Sequence, residues 1–181
     1  MKKLLYGAIT LIIAIGFSGC GIKTSEYNVS ADNVLKLRSI QNTKIGVSNF
    51  TANTENETQV MCRLAETITT PKGETFETYI EEALKSELKM AEVYDENADI
   101  KISGNLIKVY GSSMLGNAYW EVEIQINSTN GKSIQVKTKR EYPSSFLAMT
   151  ACNNMATSFS PTIKQLVNEI ITHKDFNSLL K

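Results

Sequence analysis

The chain has 181 residues, with 19 Lys or Arg balanced by 19 Asp or Glu, so its formal net charge at pH 7 is zero. A neutral chain without a dense basic cluster has no broad electrostatic attraction for nucleic acid, which is therefore not an expected partner. One histidine and three cysteines are also too few for a typical site of clustered ligands, so neither a metal nor another cofactor is expected.

The first 19 residues are organised like a secretory signal. Met1-Lys2-Lys3 is basic, residues 4–17 are apolar and uncharged, and Ser18-Gly19 are small. A helix that spans a bilayer needs about 20 apolar residues, whereas signal peptides have apolar cores of about 7–15 residues. The pattern therefore predicts a signal peptide over residues 1–19.

The end of this segment, Phe17-Ser18-Gly19-Cys20, resembles the lipobox of bacterial lipoproteins, in which one large apolar and two small residues precede the cysteine. The resemblance implies cleavage before Cys20, a diacylglycerol thioether on its sulfur and an acylated amine. Several acyl chains hold a protein firmly on a bilayer. Gly21 follows, where inner-membrane lipoproteins of enteric bacteria carry Asp, so an outer-membrane anchor facing the periplasm is expected. An ordinary secretory signal with a chance cysteine is the alternative.

Residues 20–42 are predicted to be a lipidated tether, with Ser30 capping a short helix near its end. Residues 43–181 are expected to form a single α+β domain. Strand patterns cover 43–50 and 60–65, with a polar loop between them. An amphipathic helix is predicted over 75–94, and its many carboxylates are interpreted as a solvated face.

Three strands are predicted over residues 99–110, 119–127 and 132–140. A three-residue loop ending at Gly131 keeps the last two strands in phase, with Ile126 opposite Ile134 and Glu123 opposite Lys137. The intervening stretch "GSSMLG", residues 111–116, is predicted to be a flexible hairpin loop.

A second long helix is predicted after Pro143, and Ser160-Pro161 indicates a restart or kink within it. The predicted fold is α+β: an antiparallel-rich sheet of four or five strands, with two main helices on one face and a charged outer face. The apolar stripe of the helix predicted after Pro143 consists of Phe146, Met149, Cys152, Met155, Ala156 and Phe159.

Cys62 and Cys152 are the two cysteines beyond Cys20. An even pair in an exported chain favours a disulfide. Two separately buried thiols remain the alternative, because both cysteines have apolar neighbours and free cysteine packs as a small apolar residue.

The chain contains no nucleophile elbow and no glycine-rich phosphate loop, and no enzymatic activity is expected. The element order loosely resembles small α+β outer-membrane lipoproteins that serve as accessory parts of transport or assembly machines. This resemblance implies a non-catalytic accessory or scaffold protein that binds a protein partner in the cell envelope. Met114 and Leu115 are the candidate contact residues. The alternative is a carrier of a small apolar ligand or lipid, with Met149 and Met155 lining its pocket.

Overall fold

The structure is a computed structural model that describes residues 21–40 and 43–181. The chain folds as an α+β domain with two sheets, which confirms the predicted fold class. The strands are β1 (Ile22–Lys23), β2 (Gly46–Val47), β3 (Thr51–Ala52), β4 (Gln59–Cys62), β5 (Glu66–Thr69), β6 (Lys101–Met114), β7 (Asn117–Ser128) and β8 (Ser133–Glu141). The helices are α1 (Ala31–Arg38), α2 (Phe76–Met90), α3 (Ala148–Ile171) and a terminal 3-10 helix (Phe176–Leu180).

The main sheet has the order β2-β6-β7-β8, and the short β3 also pairs with β6. Strands β6, β7 and β8 are antiparallel, while β2 and β3 run parallel to β6. Ile126 pairs with Ile134 and Glu123 with Lys137, so the predicted β7–β8 register is correct. The three-residue connection works because Gly131 adopts a φ of 84°, which costs glycine little.

The hydrophobic core lies between the inner face of this sheet and helices α2 and α3. Trp120 is fully buried there, and its indole nitrogen donates to the carbonyl oxygen of Met155 at 2.9 Å. Thr75 and Ser30 cap α2 and α1, as their hydroxyl oxygens accept from backbone amides in the first turn. Helix α2 contacts β6, and α3 contacts β6, β7 and β8. Both main helices cover the inner face of the sheet, as the sequence predicts.

A second, three-stranded sheet with the order β1-β5-β4 was not predicted. It corrects the interpretation of the segment after Cys20 as a tether, because Ile22 pairs with Ile68 and Lys23 with Thr69. Helix α1 follows, with Val34 and Leu37 buried. Residues 22–38 therefore belong to the folded domain instead of acting as a spacer.

Three further expectations for the second half of the chain are wrong in whole or in part. Strand β6 continues through Met114, so the predicted loop over 111–116 shrinks to a turn at Leu115-Gly116. Helix α3 continues through Pro161, so the helix does not restart there, and the alternative of a kink stays a prediction. It also begins only at Ala148, which leaves Phe146 outside the helix and exposed, and Met149 is exposed as well.

The interpretation of the α2 carboxylates as a solvated face is also wrong in part. Glu87 is fully buried and Glu77 nearly so, while Glu81 accepts from the backbone amide of Phe50 at 2.9 Å. Within the described residues, no helix has both the length and the apolar character needed to cross a bilayer.

Candidate functional site

The chain enters the domain at Gly21, directly after Cys20, which itself lies outside the described residues. Gly21 packs so closely on β5 that an added Cβ atom would lie 2.6 Å from the Thr67 hydroxyl oxygen and 2.9 Å from Thr69 Cγ2. The residue next to the predicted lipidation site is thus fixed against the small sheet.

The segment after β1 is fixed by the buried carboxylate of Glu87. Its Oε1 accepts from the Tyr27 hydroxyl at 2.5 Å, from the Ser30 amide at 2.8 Å and from Asn33 Nδ2 at 3.2 Å. Burial is the largest cause that raises the pKa of Tyr27 well above its ordinary value, and the hydrogen bond to Glu87 is the second largest. Glu87 therefore holds the start of the domain on α2, and the helical pattern alone did not indicate this role.

The predicted cysteine pair is brought together at the N-terminal end of α3. The sulfur atoms of Cys62 and Cys152 are 2.04 Å apart, which is disulfide distance, and the Cα atoms are 5.7 Å apart. Cys62 is the last residue of β4 and Cys152 lies in the second turn of α3. A bond here ties the small sheet to the long helix.

Arg63, the next residue, joins three loops at the same end of the molecule. Its guanidinium donates to the carbonyl oxygen of Ser113 at 2.9 Å, to Ser144 Oγ at 3.2 Å and to the carbonyl oxygen of Ser145 at 2.9 Å. The β4–β5 turn, the β6–β7 turn and the loop before α3 are therefore held side by side.

These three loops concentrate the exposed apolar side chains of the molecule. Of ten large apolar residues that are exposed in the described part of the chain, seven lie in these loops or in the adjoining ends of the strands and of α3. Leu64 is 93% exposed, Phe146 86% and Met114 65%. We call this set the loop surface; it consists of Met61, Leu64, Met114, Leu115, Phe146, Leu147 and Met149. The two predicted contact residues, Met114 and Leu115, are thus part of a larger apolar surface.

The β4–β5 turn presents Leu64 through an unfavourable backbone conformation. Arg63 and Leu64 have φ values of 53° and 54°, in the left-handed region that costs a non-glycine residue roughly 1–2 kcal/mol. Strained backbone of this kind is concentrated at functional sites. The conformation turns a leucine outward where glycine would relieve the strain.

The outer face of the main sheet is polar and forms a second candidate surface. Lys108 donates to Glu121 at 2.6 Å, and Lys137 lies 3.4 Å from the same carboxylate oxygen. The hydrogen bond from Lys108 lowers the pKa of Glu121. The ammonium group of Lys139 lies 4.1 Å from the ring centre of Tyr119. The face offers ordered charges and aromatic rings to a partner.

The residues predicted to line a ligand pocket are separated. Met155 is fully buried in the core, whereas Met149 is exposed at the start of α3. A depression of about 260 Å³ lies elsewhere, beside Tyr27 and Tyr79. Within residues 21–40 and 43–181, no group of three His, Cys, Asp or Glu side chains is placed to hold a metal ion.

Neither a family model nor a curated protein sequence matches this chain. Among solved structures, it is similar to a Xanthomonas campestris protein of family DUF330, with a TM-score of 0.52 and 11% identity over 71% of this chain and 81% of that one. A hypothetical protein of Chlamydia trachomatis aligns with a TM-score of 0.47 and 8% identity over 71% and 93% of the two chains.

A presumed lipoprotein of Caulobacter crescentus aligns with a TM-score of 0.38 and 14% identity over 83% of this chain and 93% of that one. At such low identity the first similarity shows a shared fold and no more. The other two alignments have TM-scores below 0.5.

Proposed function

We propose that this protein is a lipoprotein of a bacterial envelope, anchored in the outer membrane through acylated Cys20 and facing the periplasm. There it acts as a non-catalytic accessory or scaffold component that binds a protein partner. The observation that carries the anchor is the lipobox-like cysteine, separated from strand β1 by Gly21 alone. The acyl chains and the folded domain are thus adjacent in the chain, without a linker.

The proposed anchor is tested by metabolic labelling with an alkyne analogue of palmitate, comparing the wild-type protein with Cys20→Ala. We expect label and membrane association in the wild type and loss of both in the variant. Separating inner and outer membranes on a density gradient then tests the location. Label that persists in Cys20→Ala would contradict lipidation at this cysteine.

The polar outer face of the main sheet supports the binding role. Its charges are held in fixed positions by the Glu121 ion pairs, and half-exposed Tyr110 lies beside Tyr119 with ring centres 5.8 Å apart. Tyrosine is enriched in protein interfaces because it combines a large apolar area with a hydroxyl group. Preorganised charges also select complementary partners.

A photo-crosslinking amino acid at Tyr110 in living cells tests this binding role. We expect one recurrent envelope protein to be captured from Tyr110 and not from Lys72, which is exposed at the Pro71–Gly73 turn. A protein captured equally from both positions would indicate random collision. Capture from neither position would contradict a partner on the outer face.

A further inference from the structure

We propose that the loop surface lies directly against the lipid bilayer, so that the domain is seated on the membrane by apolar side chains in addition to its acyl chains. This inference rests on the lipid anchor proposed above and adds an orientation and a second contact. In the proposed orientation, Met114 and Leu115 contact lipid, and the protein partner binds elsewhere on the domain.

The position of Gly21 supports this orientation. Because β1 and β5 are parallel and Ile22 pairs with Ile68, the chain before Ile22 runs toward the start of β5 and the β4–β5 turn. Gly21 lies beside Thr67, and Leu64 precedes Thr67 by three residues, which span at most about 10 Å. The chain therefore enters the domain at the end that carries the loop surface.

Contacts along helix α3 independently indicate the direction in which β1 runs. Cys152, near its N-terminal end, is at disulfide distance from Cys62, which pairs with Glu66 at the start of β5. Eight residues later, Ser160 donates to the carbonyl oxygen of Glu26 at 3.4 Å. Strand β1 thus proceeds in the same direction as α3, and its first residue lies toward the N-terminal end of α3, the end that Phe146 and Leu147 precede in the chain.

The short connection to Cys20 brings this end close to the membrane. Ile22 is already paired in the small sheet, so only two Cα–Cα steps separate it from Cys20. Two extended residues span at most about 7 Å. A cysteine whose acyl chains are in the bilayer therefore holds the start of β1 near the headgroups, and the loops around it must meet the same surface.

The composition of the loops suits a lipid interface. Residues 112–118 and 142–163 contain no charged side chain. The one cation at the centre, Arg63, is engaged by oxygen atoms of Ser113, Ser144 and Ser145, which lowers the cost of removing it from water. Large exposed apolar patches mark protein or membrane contacts, and binding at the headgroup–acyl boundary strengthens with the apolar area that it buries.

The opposite end of the main sheet differs in character. There Asn130, in the β7–β8 loop, donates to the carbonyl oxygens of Ser178 and Lys181, and the exposed Lys132 adjoins this loop. The molecule therefore has an apolar end where the chain enters and a polar end about the C-terminus. This asymmetry defines which end faces the lipid.

Tryptophan substitution in the full-length, lipidated protein tests the proposal. Native Trp120 is fully buried and supplies a constant background. Leu64→Trp and Phe146→Trp place a probe in the loop surface, and Leu35→Trp is the matched control on α1, where the native leucine is 64% exposed. Each protein is reconstituted in vesicles of phosphatidylethanolamine and phosphatidylglycerol, with or without brominated acyl chains.

We expect bromine to quench the Leu64→Trp and Phe146→Trp emission about twofold or more, since a ring seated in the interface lies roughly 5–10 Å into the headgroup–acyl boundary. Leu35→Trp should remain at the wild-type level. Equal quenching at all three positions would contradict a preferred orientation.

The intact mass of each preparation separates the two proposals. If Cys20 carries lipid and neither loop probe is quenched above wild type, the bilayer contact is wrong, the anchor stands, and a protein partner becomes the occupant of the loop surface. If Cys20 carries no lipid, the anchor and the bilayer contact are both overturned.

Discussion

Tyr27 and Glu87 are 60 residues apart in the chain, and the Tyr27 hydroxyl donates to the Glu87 carboxylate at 2.5 Å. Glu87 is fully buried, and its second oxygen has no hydrogen-bond partner among the described residues. A buried carboxylate is tolerated when donors surround it. The segment that follows β1 supplies these donors, so it stabilises the very helix on which it packs.

We expect Tyr27→Phe to lower the free energy of unfolding by about 1.5–3 kcal/mol, the range for a hydrogen bond to a charged group. The ring stays and only the donor is lost. Chemical denaturation measures the change, with Tyr110→Phe as the control, because Tyr110 is half exposed on the sheet face. An equal, small effect of both substitutions would show that the Glu87 bond contributes little.

The raised pKa of Tyr27 predicts that the domain becomes less stable at alkaline pH. Burial raises the pKa of Tyr27, with a further increase from Glu87, and burial raises the pKa of Tyr79 to about 12, against an ordinary value of 10.0. Above an ordinary pKa the unfolded chain loses these protons while the folded chain keeps them. The stabilisation is therefore fully present below pH 10 and is lost as the pH rises toward the folded values.

Unfolding measured between about pH 8 and pH 11 should show this decline. In Tyr27→Phe the decline should be shallower, since one of the shifted groups is absent. A wild-type stability that is flat over this range would contradict a protonated, buried Tyr27.

Reduction of the Cys62–Cys152 pair should destabilise the domain strongly. The cysteines are 90 positions apart, and for a loop of that size the chain-entropy model gives roughly 4–5 kcal/mol. The double variant Cys62→Ser/Cys152→Ser should match wild-type protein treated with a thiol reductant, when both are measured by denaturation. A wild type that is insensitive to reductant would favour two free thiols.

Arg63→Ala should loosen the three loops that Arg63 joins. We expect a loss of about 1–3 kcal/mol together with faster amide hydrogen exchange in residues 144–147. Arg38→Ala is the matched control, because the Arg38 side chain is half exposed and donates one hydrogen bond, to the Met90 carbonyl oxygen at 3.2 Å, against the three of Arg63. Exchange that is unchanged in Arg63→Ala would mean that these loops are ordered by other contacts.

Gly21→Ala should weaken the docking of β1, since its Cβ atom would press on Thr67 and Thr69. Overpacking of this kind costs about 1–3 kcal/mol, and Thr67→Ala in the same chain should recover part of it. Lys23→Ala, at an exposed position in β1, is the control for the unfolding measurement. Full stability in Gly21→Ala would show that the first residue of the domain is free to move.

This packing also affects any test of membrane sorting. The expectation of an outer-membrane location comes from Gly21 standing where inner-membrane lipoproteins carry Asp. Gly21→Asp would alter both the sorting residue and the contact with Thr67, so Gly21→Ala is needed as its steric control.

The β7–β8 pairing could be predicted from the sequence because its two faces differ. Ile124 and Ile126 alternate with Glu123 and Gln125, so only one register places apolar side chains opposite one another. Strand β6 does not show such a regular alternation of apolar and polar residues. A bulge between Leu106 and Lys108 shifts its alternation, and Gly111, Ser112 and Ser113 have the composition of a loop.

The structure explains why those small residues lie in a strand. A Cβ atom at Gly111 would lie 2.2 Å from Met155 Cε and 2.9 Å from the Trp120 ring, so a larger residue here would displace the side chains packed beneath α3. Ser112 is buried, and its hydroxyl donates to the carbonyl oxygen of Asn117 at 2.9 Å. Composition indicated a loop, whereas the tertiary contacts require small residues within a strand.

Only part of the loop surface could be predicted from the sequence. Met114 and Leu115 are recognisable as apolar residues within a predicted loop, but the sequence pattern places Leu64 in a strand and Phe146 on a helix stripe. Their exposure depends on where the β4–β5 turn and α3 begin, and element boundaries depend on tertiary contacts that local pattern does not contain. The role of Glu87 was missed for a related reason, because its donors lie more than 50 residues away.

The pairing of β1 with β5 imposes an order on the biosynthesis of the protein. Its partner Ile68 is made 46 residues after Ile22, and the Ser160 contact with Glu26 spans 134 residues. The backbone beside Cys20 is thus packed only when most of the chain has been synthesised. If Cys20 is acylated as proposed, an enzyme that needs an extended chain around this cysteine has to act before these contacts form, and a chain that folded early would compete with its own maturation.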